Sequence, residues 1–159
     1  MLFFLVLHGE RWENCDITWA FRDPHKLFDN DVDYNIAKTV LEKVIKTWEK
    51  SAAGALTFID LSPKNRTSLE NFERKAKLDI IFARYDHGDL ESFDGPGGIV
   101  AHSGYPSDGI VHFDASLHHS TYPLAIMNPF YSNRTKSISY DLSKDDIYGI
   151  QELYQDCKQ

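Results

Sequence analysis

Apolar residues between positions 31 and 50 recur at helical spacing. Val32, Ile36, Val40, Val44 and Trp48 fall at every fourth position, and Ala37, Leu41 and Ile45 lie beside them. A stripe of this width predicts an amphipathic helix from Asp31 to Lys50, packed on a core and ended by Gly54. Elsewhere the apolar runs are short, as strands require. Ile17–Phe21, Ala55–Leu61 and Leu78–Ala83 read as strands, and Ile99–Ser103 and Ile110–Ala115 as two shorter ones. Pro63 to Lys77 is polar and reads as a loop. A last helix runs from Asp145 to about Tyr154, with Ile147, Ile150, Leu153 and Tyr154 on one face. Ser143 and Asp146 have the spacing of a capping box at its start. Strands separated by a long helix imply a sheet covered by helices.

Composition narrows the function. The 159 residues are 42% apolar, enough for one compact domain with a core. Lys and Arg number 17 against 24 Asp and Glu, a formal charge of -7 that argues against a nucleic-acid partner. No run approaches the ~20 apolar residues of a membrane helix. The apolar start, Leu2 to Leu7, is too short for a full signal peptide, and residues 1–9 read as an N-terminal remnant. Cys15 and Cys157 sit near opposite ends and can either bridge or stay free. Two sequons, Asn65-Arg66-Thr67 and Asn133-Arg134-Thr135, are compatible with secretion.

Metal chemistry is the strongest candidate. His87, Asp89, His102 and His112 fall within a 26-residue window. In extended chain, His87 and Asp89 face one side, and so do His112 and Asp114, with Val111 and Phe113 opposite. Three imidazoles and a carboxylate suit tetrahedral zinc and leave no position for water, so such a site is structural. Spacing alone leaves the alternative of ordinary surface histidines open. The loop Asp94-Gly95-Pro96-Gly97-Gly98 suggests a harder cation, since glycines let carbonyls turn inward and carboxylates supply the charge calcium prefers. A simple tight turn between strands is the other reading.

These residues also carry a family resemblance. His87-Gly88-Asp89, Phe93 to Gly98, Ala101-His102 and His112-Phe113-Asp114 resemble the metal-binding core of the matrix metalloproteinases, the matrixins. Arg11-Trp12 with Ile17-Thr18-Trp19 resembles the family's first strand, and Leu142 to Tyr154 its C-terminal helix. His119-Ser120, followed by Pro123, Ala125, Ile126, Met127 and Pro129, resembles the third zinc histidine and the Met-turn. The resemblance implies a zincin-like fold of mixed α and β structure, with a twisted five-stranded mixed sheet and helices, as one domain over residues 10–157. It implies a structural zinc on His87, Asp89, His102 and His112, and calcium held by Asp94 and Asp114 with the backbone of Gly95, Gly97 and Ile99. It places Met127 beneath a catalytic zinc, and Pro129 and Tyr131 on the substrate-pocket wall. It further implies cleavage of peptides or extracellular-matrix proteins, possible binding of protease inhibitors, and a secreted, extracellular location.

One departure changes the expected activity. The family's H-E-x-x-H-x-x-G-x-x-H segment supplies three zinc histidines and a general-base glutamate. This chain has no such motif; His112-Phe113-Asp114-Ala115-Ser116 runs directly into Leu117-His118-His119-Ser120. By the family pattern roughly two dozen residues, including most of the active-site helix, are missing at that junction. His119 is left as the single remnant of the catalytic zinc site, and neither a G-x-S-x-G elbow nor a cysteine in a histidine-containing motif replaces it. The stretch between His102 and His112 is also short for the family, which argues against a second calcium site served by Asp79. Three readings follow: a matrixin zinc endopeptidase whose sequence is incomplete through a skipped exon or a faulty gene model, a binding module that keeps its structural metals, or an unrelated extracellular metal-binding domain.

Overall fold

A computed structural model describes residues 10–95, 98–116 and 142–157. Its order of elements is β1 (Asp16–Arg22), α1 (Asp31–Ser51), β2 (Thr57–Asp60), β3 (Leu78–Ala83), β4 (Ala101–Ser103), β5 (Ile110–Asp114) and α2 (Lys144–Leu153). The segment read as a loop contains a short 3-10 turn, Leu69–Phe72. The strands form one sheet in the order β2-β1-β3-β5-β4. The β1–β2, β1–β3 and β3–β5 pairs are parallel, and β4 runs antiparallel to β5 at the edge. Mixed pairing of this kind matches the sheet expected from sequence.

One face of the sheet carries the core. Trp19, Phe21, Ile80 and Phe113 are buried against Tyr34, Leu41 and Ile45 of α1, with Phe28 and Phe82 packed at the margin. Tyr34 stacks on Phe21 at 5.0 Å between centroids, and its hydroxyl donates to the Phe21 carbonyl at 3.0 Å. The side of α1 that faces the sheet is narrower than the predicted stripe. Tyr34, Leu41 and Ile45 are buried, whereas Val32 is 67% and Ile36 55% exposed. Helical geometry explains the correction. A row of every fourth residue drifts by about 40° per step, so Val32 lies about 180° around the helix from Leu41. The 34–41–45 spacing stays within about 40°.

Local signals set the helix ends. Asn30 caps α1 by accepting from the Asp33 amide. Beyond Ser51 the chain leaves through Ala53 and Gly54, both at positive φ. The expected capping box is present at α2, with Ser143 and Asp146 bonded reciprocally. Behind α1 and the sheet edge, Ile17, Ala52, Ala55, Leu56 and Tyr154 form a second cluster that joins the two ends of the chain. A disulfide between Cys15 and Cys157 closes this junction, settling a pairing the sequence left open. Arg11 adds bonds to the Leu153 carbonyl and the Asp156 carboxylate, and the Tyr154 hydroxyl accepts from the Trp12 amide. Among the described residues, no helix is long and apolar enough to cross a membrane.

Candidate metal centre

The second sheet face, turned away from α1, brings the candidate ligands together. His102 and His112 are direct cross-strand partners on β4 and β5, so their imidazoles stand side by side. Ile81 is the partner of His112 on β3 and supplies the apolar floor. The loop after β3 delivers the other two ligands. It does so through a turn rather than the extended chain that sequence spacing suggested, because Gly88 between them adopts φ +96°. A side chain there would be strained, and glycine lets His87 and Asp89 fold back onto one point.

At that point the donor atoms nearly touch. Asp89 Oδ2 lies 2.9 Å from His87 Nε2, 2.8 Å from His102 Nε2 and 2.8 Å from His112 Nδ1. His112 Nδ1 is 3.2 Å from both other imidazole nitrogens. Tetrahedral zinc with ligand bonds of about 2.05 Å has ligand–ligand edges of about 3.3 Å. The observed spacings sit at or just inside that value, so a small outward relaxation accommodates the ion. Among the described residues these four form the one group of three or more His, Cys, Asp or Glu whose ligand atoms converge, all within 4.8 Å.

The surroundings fix the geometry. His87 Nδ1 bonds the Tyr85 carbonyl at 2.8 Å, which sets the tautomer and leaves Nε2 as an electron-pair donor. Phe93 stacks against His87 at 4.8 Å and against His102 at 4.7 Å, and packs on Ile81 and Ala83 behind them. The carboxylate of Asp89 accepts from the Glu91 amide at 3.0 Å through Oδ1, leaving Oδ2 for the cluster. Burial pushes the Asp89 carboxyl upward, but the Glu91 amide and the His102 and His112 imidazoles outweigh it and hold the pKa at about 2. Burial is also the largest influence on His112 and lowers its pKa, favouring the neutral imidazole a metal needs. A cleft of about 780 Å³ opens over this face and gives a path for ion entry. Sequence reasoning missed Tyr85, Glu91 and Phe93 as supports. The first two act through backbone atoms and carry no side-chain signal.

Beside this cluster lies the second candidate site. Asp114, opposite Ala83 in the sheet, is 4% exposed. Its Oδ1 is taken by the backbone and hydroxyl of Ser116, while Oδ2 is buried with no hydrogen-bond partner among the described residues. A buried carboxylate oxygen without a donor calls for a cation. Asp94 Oδ1 accepts from the Ile99 amide at 2.8 Å, and Gly95 turns at φ +90°. A Cβ at Gly98 would overlap the Asp94 carboxylate, so a side chain there would displace that carboxylate. Gly97, His119, Met127, Pro129 and Tyr131 lie outside the described residues, as do residues 1–9.

Asp79 is committed elsewhere. Arg22 bonds both of its carboxylate oxygens at 2.5 Å, and its remaining nitrogen donates to the Asn71 carbonyl at 2.6 Å. A guanidinium thus holds the position of the counter-ion to this buried carboxylate.

Comparison with known proteins identifies the class. The matrixin family model, of the M10 peptidases, matches residues 11–116 and 116–155, and the chain belongs to this family. The unrelated-domain reading is thereby excluded. Mouse stromelysin-3 is 34% identical over 179 residues, and human stromelysin-3 33% over 179. Matrix metalloproteinase-2 of Drosophila melanogaster is 29% identical over 182 residues. Each alignment covers 94% of this chain but only 32%, 33% and 22% of the respective relative, so the chain spans a third or less of their length. The two stretches of the family match meet at Ser116, the junction singled out from sequence.

Proposed function

We propose that residues 10–157 form a matrixin peptidase domain that binds one structural zinc but does not itself cleave peptides. His87 Nε2, Asp89 Oδ2, His102 Nε2 and His112 Nδ1 would hold the zinc, and the convergence of these four atoms within 4.8 Å carries the reading. Four protein donors fill a tetrahedron, so this ion would brace the β3–β4 loop against the sheet rather than activate water. Asp94 and Asp114, with backbone oxygens of Gly95, Gly97 and Ile99, would hold calcium. The buried Oδ2 of Asp114, without a partner among the described residues, supports that assignment.

Peptide hydrolysis in this family needs a metal-polarised water and a glutamate base. The chain has no H-E-x-x-H-x-x-G-x-x-H segment, and His119 alone is too few ligands to hold a catalytic ion. Loss of a general base costs about 10²–10⁴ in rate, and loss of the metal removes the nucleophile as well. The parent activity is cleavage of peptides or extracellular-matrix proteins outside the cell, with Met127 beneath the catalytic zinc and Pro129 and Tyr131 at the pocket wall. The resemblance supports this activity for a chain that contains the missing segment.

Two experiments test the reading. The purified chain should show no turnover of a fluorogenic matrixin peptide; chelator-sensitive cleavage would overturn the proposed inactivity. Sequencing the transcript across Ala115 to Leu117 should find the active-site segment in a longer message. An uninterrupted junction in every mature message would instead make the inactive form the protein's normal state.

A further inference from the structure

We propose that Asn65 carries an N-linked glycan. The sequon Asn65-Arg66-Thr67 has no proline at its centre and folds into a tight side-chain turn ahead of the 3-10 turn. Asn65 Oδ1 accepts from the Thr67 amide at 3.1 Å, the Thr67 hydroxyl at 2.9 Å and the Ser68 hydroxyl at 3.1 Å. Because a backbone N–H can only donate, the first bond fixes which amide atom is oxygen. The Asn65 carbonyl points inward too, accepting from the Ser68 amide and from Asn71 Nδ2. The acceptors are therefore turned toward the protein, and Nδ2 is the atom left over. It bonds to no described residue and is not among the fully buried polar atoms lacking partners, so some of its surface reaches solvent on a half-buried residue. Lys64 and Thr67 on either side are exposed, and none of residues 64–68 lines the cleft over the metal centre.

An independent observation places the chain where this chemistry occurs. The Cys15–Cys157 disulfide needs an oxidising compartment, which is also where oligosaccharide is transferred to asparagine. The co-reactant is a polyprenyl-diphosphate-linked oligosaccharide. Asn65 Nδ2 attacks the anomeric carbon; the N–C bond forms, the C–O bond to the diphosphate breaks, and Nδ2 releases one proton as the lipid diphosphate leaves. The sugar then projects from the loop without displacing any bond described above, since each of them uses oxygen rather than Nδ2.

The test expresses the full chain behind a secretion leader in cultured animal cells, with Asn133→Gln removing the second sequon. Microsomal and secreted fractions are both treated with an amidase that cuts glycan from asparagine and leaves aspartate. A glycosidase-sensitive mobility shift is expected, with Asp recovered at position 65 in the peptide mass spectrum. Thr67→Ser should retain the shift, while Thr67→Ala and Asn65→Gln should abolish it. Reading the microsomal fraction keeps the result independent of folding, because transfer precedes folding. Absence of the shift in the Asn133→Gln chain, or its survival in Asn65→Gln, would overturn the proposal.

Discussion

Reducing the Cys15–Cys157 bond should cost this domain a large share of its stability. The bridge closes a loop with a sequence separation of 142 residues. Chain-entropy scaling gives about 5 kcal/mol for a loop of that size, with measured values for native bridges typically about 2–5 kcal/mol. A whole domain has about 5–15 kcal/mol to lose. The folded ends are also joined by Arg11 to Asp156, by Trp12 to Tyr154 and by the apolar cluster around Ile17 and Tyr154, none of which replaces the bridge. These contacts hold the native state together but do nothing to the unfolded chain, where the entropic gain arises. The assay is urea unfolding of the metal-loaded chain, oxidised and reduced, beside the Cys15→Ser/Cys157→Ser double variant. The reduced chain and the double variant should share a lowered midpoint. Both should also unfold with a steeper denaturant dependence, because the freed chain exposes more surface. An unchanged midpoint on reduction would refute the reasoning, and so would a double variant as stable as the oxidised protein.

Three further outcomes follow from buried groups. Arg22→Met strands the Asp79 carboxylate at 4% side-chain exposure, and should cost about 3–5 kcal/mol in urea midpoint analysis. Replacing both partners by apolar residues should recover most of that, and equal losses in the single and double variants would count against a desolvated pair. Burial raises the Tyr34 phenol above its ordinary pKa of 10.0, and Tyr154 is raised the same way. A raised acid leaves stability intact below the unfolded pKa and loses it as pH climbs past about 10. Tyr34→Phe should weaken that alkaline loss, and an identical pH profile would refute the assignment. Calcium at a hundredfold excess over its dissociation constant should add about 2.7 kcal/mol, and Asp114→Asn should remove the increment. A wild-type melting temperature indifferent to calcium would rule the Asp114 site out.

Much of the architecture was legible because period and punctuation agreed. The strands around Trp19, Ile80 and Phe113, the long helix after Asn30 and the Ser143 capping box all stand where local pattern placed them. The helix face was misjudged, because a fourfold row looks continuous in sequence but winds around the cylinder. Only the 34–41–45 spacing tracks the sheet. At the candidate metal centre the four converging residues, His87, Asp89, His102 and His112, were flagged by residue type and spacing. The turn that joins His87 to Asp89 was not, since it depends on a single left-handed glycine. The Arg22–Asp79 pair and the disulfide join positions 57 and 142 residues apart. Neither leaves a periodic trace, so tertiary packing alone reveals them.

The most direct test is the zinc content of the purified, undialysed chain, measured by elemental mass spectrometry beside a His102→Ala variant. One zinc per chain is expected, and none in the variant. Two tightly held zincs per chain, or one that survives loss of His102, would mean that the metal sits elsewhere and that the proposed division between a structural site and a lost catalytic site is wrong.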